Sequence, residues 1–298
     1  MRACVIFNPA AKGDKAARFQ TLLASLGRDC ALRPTASPGD ARGLTATAIR
    51  EGFDCVVAAG GDGTLNEVLN GIGDVPDGFE RVRLGILPLG TMNVFAMELG
   101  IPAALEAAWA VVRDGREIAV DLARANFNDA SGPQRRYFAQ MAGAGLDARA
   151  IERVSLPLKR VVGPLAYVWA GLEAICEHQP QIRASGDGHA ATGPLVLLGN
   201  GRLYGGRFEV FPDADLRDGW LEVCVFPRAD WFGLARCGLP LLINGRVPES
   251  AVRRFRAREV RLECASGEAA GFEVDGEWAG RTPVTFNVEP RRLRVLVP

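Results

Sequence analysis

Apolar and polar positions alternate in blocks along the first part of the chain. Ala3–Phe7 is uninterrupted and apolar, the pattern of a buried strand, and from Asp14 to about Leu26 the apolar spacing becomes helical. Asp29–Arg33 reads as a second strand, and Ser37-Pro38 as N-cap and first turn of a helix ending near Gly52. Phe53–Ala58 and Leu84–Leu87 are further apolar strands, with helices predicted over Thr64–Ile72, Met92–Leu99 and from Ile101-Pro102 to about Asp114. Strands separated by helices imply a parallel sheet covered on both faces, a Rossmann-like three-layer α/β domain.

From about Glu117 the pattern shortens. Glu117–Ala125, Tyr137–Met141, Leu195–Leu198, Trp220–Phe226, Glu259–Cys264 and Val284–Val288 are β-type runs divided by turn clusters. They predict a mostly antiparallel β-sandwich, interrupted by helices over Leu156–Cys176 and Trp231–Asn244. The domains expected are residues 1–122 and 123–290, with a last strand at about 291–298 (Leu293–Val297 at its core) returning to the first sheet.

A length of 298 residues accommodates two such cores. The charge changes the picture by exclusion: 35 basic against 35 acidic side chains give no net charge, which argues against a nucleic-acid binder. Contact with a membrane would need a local basic or apolar patch. The segment after Met1-Arg2 is too short for a secretory apolar core, and Val161–Ile175 is too short to span a bilayer. Seven singly scattered cysteines fit reduced thiols in a cytosolic protein, not a disulfide frame or zinc site.

Chemistry enters at the strand-to-helix junctions. Gly60-Gly61-Asp62-Gly63-Thr64-Leu65-Asn66-Glu67 follows a buried strand and opens a helix, where glycine permits positive φ and close approach, and free amides can receive phosphate. Neither the dinucleotide fingerprint nor a Walker loop has this spacing. Pro88-Leu89-Gly90-Thr91-Met92-Asn93 repeats the design, and Asn8-Pro9-Ala10-Ala11-Lys12-Gly13 follows the first strand. Three loops at the carboxyl ends of parallel strands converge on one crevice. Taken singly, the glycines also suit tight turns, and Thr91 and Asn93 suit helix caps.

These three loops, followed in order by Ala144-Gly145-Leu146-Asp147-Ala148, Tyr204-Gly205-Gly206, Pro212-x-Ala214…Asp218-Gly219-x-Leu221 and Val274-Asp275-Gly276-Glu277, resemble the diacylglycerol and sphingosine kinases, and most of all their soluble bacterial branch. The resemblance covers nearly the whole chain. It implies an ATP-dependent lipid kinase with an N-terminal catalytic domain of the NAD kinase and diacylglycerol kinase type and a lipid-substrate domain after it. By resemblance Asn8, Pro9, Ala10, Ala11, Lys12, Thr35, Gly61, Asp62, Gly63, Thr64, Leu65, Asn66, Glu67 and Thr91 line the ATP site, and Asp62 acts near the phosphates through catalytic Mg2+. Glu277 matches the general base for the lipid hydroxyl, although Asp275-Gly276 alone signals only a hairpin. Asp218, with backbone carbonyls near Asp215 and Trp220, matches a structural Mg2+ site.

One position departs from the pattern: the bacterial branch has Asp after the Asn of the second loop, and this chain has Val94. Diacylglycerol as acceptor is therefore an open expectation. Two rivals stay beside it, an NAD kinase-like small-molecule kinase and a catalytically silent nucleotide- or lipid-binding protein. The expected partner is a lipid at the membrane surface, met by a cytoplasmic protein without a transmembrane segment, peripheral at the inner face; a homodimer is left open. Ser155–Trp169 and the basic run Arg253-Arg254-x-Arg256-x-Arg258 are the candidate lipid contacts; the first is more commonly the pattern of a core-facing amphipathic helix, and the second equally that of a solvated strand edge.

Overall fold

A computed structural model describes residues 1–9, 19, 30–153, 179–264 and 267–298. The helices expected over Asp14–Leu26 and Leu156–Cys176, the loop residues Ala10, Ala11 and Lys12, and the Ser155–Trp169 segment lie outside the described residues. The chain divides into two units, Met1–Leu122 with Glu289–Pro298, and Ala123–Val288.

The first unit contains strands β1 (Ala3–Phe7), β2 (Ala31–Pro34), β3 (Cys55–Gly60) and β4 (Arg83–Pro88). They run parallel in the order β2-β1-β3-β4. β1 and β3 are buried along their whole length, which explains their unbroken apolar sequences. Helices α1 (Asp40–Arg50), α2 (Asp62–Gly73), α3 (Gly78–Arg81), α4 (Val94–Glu98) and α5 (Leu105–Asp114) connect the strands. α1 starts later than Ser37-Pro38 predicts. The Asp40 carboxylate accepts the N–H groups of Ala36 and Ser37, both at 2.8 Å, folding those residues into a turn before the helix.

The second unit begins within β5 (Arg116–Asp129) and continues through β6 (Gly132–Phe138), β7 (Met141–Gly145), α6 (Leu146–Arg153), β8 (Ile182–Gly186), β9 (His189–Gly193), β10 (Leu195–Gly199), β11 (Leu203–Tyr204), β12 (Phe208–Glu209) and β13 (Leu221–Phe226). It then runs through α7 (Trp231–Asn244), β14 (Arg253–Ala257), β15 (Glu259–Cys264), β16 (Gly271–Val274), β17 (Glu277–Arg281) and the first part of β18 (Val284–Val297). One antiparallel sheet has the order β14-β13-β10-β7-β16-β17. A second set pairs β18 with β15, β15 with β8, and β8 with β9, all antiparallel. Ala142, Val196 and Val223 from the first meet Ala184, Leu262 and Phe286 from the second in one apolar core. This is the sandwich that the short alternating runs imply.

Two sequence expectations change here. Tyr137–Met141 is not one strand: β6 ends at Phe138 and β7 starts at Met141. The Asp275 carboxylate takes the N–H groups of Ala139, Gln140 and Met141 at 2.9, 2.9 and 3.2 Å, so those amides are drawn to a side chain. Conversely, Val284–Val288 and Leu293–Val297 belong to one strand, β18, whose last part pairs parallel with β4 at Val295 and Leu84.

Candidate active site

In the first unit the segments leaving β1, β2, β3 and β4 all emerge at the carboxyl edge of one parallel sheet. Asn8 and Pro9 follow β1 and are exposed. Thr35 follows β2, half-buried, its N–H donating to the Phe7 carbonyl at 2.8 Å. The β3 and β4 loops interlock. A Cβ on Gly90 would lie 2.4 Å from Gly61 Cα, and one on Gly60 would lie 2.4 Å from Thr64 Oγ1. Glycine is therefore required here for close backbone approach. The positive φ expected from the sequence is not what Gly61 uses: its φ is −91°.

Asp62 fastens the two loops. Its carboxylate accepts Asn93 N–H at 2.9 Å and Val94 N–H at 2.8 Å, so it caps α4 from a distant part of the sequence. Asn93, at φ 54°, closes the second loop through both ends of its amide, with Gly90 N–H at 3.0 Å and the Gly90 carbonyl at 2.6 Å. The two loops are thereby tied together at the start of α2.

The remaining residues of this motif separate by function. Gly61, Asp62, Gly63 and Thr64 are half-buried at the edge of the sheet, and Thr91 is exposed. Leu65 and Asn66 are buried inside the unit, with Asn66 accepting from Asn70 Nδ2. Glu67 turns its carboxylate to the start of α1, accepting Gly39 N–H at 2.8 Å and Ala41 N–H at 3.0 Å. It therefore holds the chain that follows Thr35.

In the second unit Asp275-Gly276 forms the two-residue hairpin turn between β16 and β17, with φ 49° and 81°. Glu277 is the first residue of β17, half-buried, its Oε2 3.3 Å from the Arg136 guanidinium. Asp275 fixes this hairpin to the β6–β7 junction through the three N–H groups described above. Neither Arg136 nor the anchoring by Asp275 was signalled by the sequence motifs, because both depend on sheet register.

Motifs far apart in sequence meet beside β7. Tyr204 Oη donates to Asp147 Oδ1 at 2.5 Å, and Asp147 lies against Glu273. Asp147 Oδ2 and Glu273 Oε1 face Gly143, where a Cβ would come within 2.2 and 2.8 Å of them. Burial, then the neighbouring Asp147 charge, raises the Glu273 carboxyl well above the usual carboxylate range.

Asp215, Asp218 and Trp220, the residues expected as a metal set, lie on one turn. Asp218 Oδ1 accepts Trp220 N–H at 2.9 Å and Oδ2 is ion-paired with Arg256. Asp215 Oδ1 accepts Arg217 N–H at 3.0 Å. Among the described residues no group of three or more His, Cys, Asp or Glu is placed to hold a metal ion.

A parallel α/β unit with interlocked glycine loops at its strand ends, followed by an antiparallel sandwich, is the architecture of the diacylglycerol kinase and NAD kinase type. The model of the diacylglycerol kinase catalytic domain matches residues 2–125, and that of the YegS C-terminal NAD kinase beta sandwich-like domain matches residues 140–297. A diacylglycerol kinase of Staphylococcus aureus strain MRSA252 is 30% identical over 305 residues, covering 100% of this chain and 92% of the relative. One from Staphylococcus carnosus strain TM300 is 29% identical over 307 residues, covering 100% and 95%. The crystal structure of a diacylglycerol kinase from Bacillus anthracis strain Sterne superposes with TM-score 0.73 at 21% identity, over 100% of this chain and 97% of that one. Yeast NADH kinase complexed with NADH shares the fold more distantly, with TM-score 0.54 at 10% identity over 100% and 84%. The chain belongs to the diacylglycerol kinase family of lipid kinases.

Proposed function

We propose that this protein transfers the γ-phosphoryl group of Mg-ATP to the hydroxyl of a membrane lipid, diacylglycerol or a related glycerolipid or sphingoid lipid. The observation that carries the reading is the interlocked pair of loops at Gly61 and Gly90, held by the Asp62 carboxylate on the amides of Asn93 and Val94. Phosphoryl transfer depends mainly on positioning and charge neutralisation, and the tied loops supply the first. Residues 1–122 with the returning strand form the nucleotide-binding part, and residues 123–290 the part that takes the lipid.

Asn8, Pro9, Ala10, Ala11, Lys12, Thr35, Gly61, Gly63, Thr64 and Thr91 line the nucleotide, while Leu65, Asn66 and Glu67 shape its walls from within. When bound, Mg2+ neutralises charge on the phosphates, with Asp62 accepting from its water shell. Glu277 takes the proton of the lipid hydroxyl as the acceptor oxygen attacks, and Arg136 orients that carboxylate. Val94 contributes its backbone N–H to the Asp62 carboxylate, a role that any non-proline side chain permits.

The test is transfer of labelled γ-phosphoryl from Mg-ATP to diacylglycerol, monoacylglycerol, phosphatidylglycerol, sphingosine and ceramide in mixed micelles, with NAD as a soluble acceptor. Label in one lipid, lost in Glu277→Ala with ATP binding and melting temperature unchanged, is the expected result. Label in NAD alone, or in nothing while ATP binds, would refute the lipid-kinase reading. Wild-type turnover in Glu277→Ala would remove the base assignment only.

A further inference from the structure

α7 is apolar on two sides. Cys237 and Leu241 pack on the cluster formed by Met141, Leu197, Phe211 and Phe226. Among the described residues the exposed large apolar side chains are Met1, Trp231, Phe232, Leu242 and Ile243, and four of these five belong to this one helix. Trp231 and Phe232 are 58% and 60% exposed, Leu242 and Ile243 74% and 70%. At about 100° per residue, Trp231, Ala235 and Leu242 fall close together, with Phe232, Arg236 and Ile243 beside them. The exposed residues thus form a stripe about 18 Å long opposite the packed side.

The helix is held firmly at both ends. The Asp230 carboxylate accepts Gly233 N–H at 2.7 Å, and Gly245 ends the helix at φ 70° with its carbonyl accepting Glu209 N–H at 2.7 Å. A preorganised apolar stripe on a fixed helix is a docking surface rather than a frayed element.

Charge identifies the occupant. Between Trp231 and Gly245 the one charged residue is Arg236, with Arg228 before the helix and Arg246 after it. The acids at these ends, Asp230 and Glu209, are each already paired with an arginine. An apolar stripe with an aromatic pair at one end, an arginine–carboxylate pair at each end, and Arg236 with no acid along the helix itself, matches the acyl–headgroup boundary of an anionic bilayer.

We propose that α7 is the element by which this protein seats on an anionic lipid surface, with Trp231, Phe232, Leu242 and Ile243 entering the acyl boundary and Arg228, Arg236 and Arg246 at the headgroups. The choice of a bilayer rests on the lipid-kinase reading; the binding test below does not require turnover.

The experiment is flotation of the full chain with phosphatidylcholine vesicles, with and without phosphatidylglycerol, for wild type and Leu242→Glu/Ile243→Glu. Wild type floats with the phosphatidylglycerol vesicles, and the double variant binds weaker by roughly tenfold or more. Both side chains are exposed, so its melting temperature stays that of wild type, as does its turnover of a monomeric short-chain diacylglycerol. A brominated phospholipid quenches wild-type tryptophan fluorescence more than that of Trp231→Phe. Equal flotation of the two proteins, equal quenching, or no flotation of wild type would overturn the proposal. Equal flotation with loss of a wild-type dimer in the variant would assign the stripe to a second copy of the chain. Absence of kinase activity with intact flotation would sink the lipid-kinase reading and leave the surface standing.

Discussion

The Asp62 carboxylate accepts two backbone N–H groups from the other loop, which makes it a strong anchor between the two. Asp62→Asn places an NH2 against one of the two amides, leaving a donor without an acceptor at a cost of about 1–3 kcal/mol. The expected outcome is a lower melting temperature together with turnover reduced by more than a hundredfold; turnover loss without any change in melting would separate Asp62 from loop anchoring. The Asp147–Glu273 pair behaves differently, because burial and the second carboxylate beside it raise the Glu273 pKa. A carboxyl raised above its unfolded value contributes stability in full at pH below that unfolded value, and loses it as pH rises through the folded value. Wild-type melting temperature is therefore expected to fall as pH is raised above the ordinary carboxylate range. In Glu273→Gln the side chain no longer titrates, and that slope flattens. Parallel profiles for the two proteins would show that the pair is not protonated. The sequence showed Asp147 and Tyr204 as members of separate motifs; their meeting with Glu273 was illegible because it is made by the pairing of β7 with β16.

At the scale of elements, the strands and helices of the first unit were readable because each is apolar on the schedule its burial demands. What was not readable is how one element ends another. Glu67 looks like a helix-surface acid following a glycine-rich turn, yet it supplies the N-terminal cap that α1 lacks in its own sequence, since Gly39 has no side chain to offer. Glu67→Ala is expected to cost about 1 kcal/mol, the size of a lost cap, and Glu67→Gln less, measured by chemical denaturation. The turn carrying Asp218 makes the converse point. A motif that resembles a magnesium site is balanced here by Arg256, which with Arg258 also stacks near Trp220, at 5.8 and 4.7 Å from its ring. Without nucleotide, wild-type melting is expected to be the same in Mg2+ and in chelator, and Arg256→Ala to melt lower. A rise of several degrees for wild type on adding Mg2+ alone would restore the metal to this turn.

Across the whole molecule, the alternation of apolar runs was sufficient to distinguish a parallel α/β unit from an antiparallel sandwich, because the two demand different burial of each strand. It was not sufficient to show that Val284–Val288 and Leu293–Val297 are one strand. Pro290 reads as a break, but the strand continues through Arg291 at φ 51°, whose N–H is taken by the buried Asp121 carboxylate at 2.7 Å. The chain thereby returns its last residues to the sheet that began with Ala3. Leu293, Val295, Leu296 and Val297 are all buried there. At about 1.5–3 kcal/mol each, their burial contributes roughly 6–12 kcal/mol, as large as the net stability of an ordinary domain. A chain ending at Val288 is accordingly expected to lose the cooperative melt of the first unit and its binding of an ATP analogue, although every nucleotide-site residue named above is still present. Retention of both would mean that β1 to β4 close without the returning strand, and that the unit formed by Met1–Leu122 folds from its own contiguous sequence.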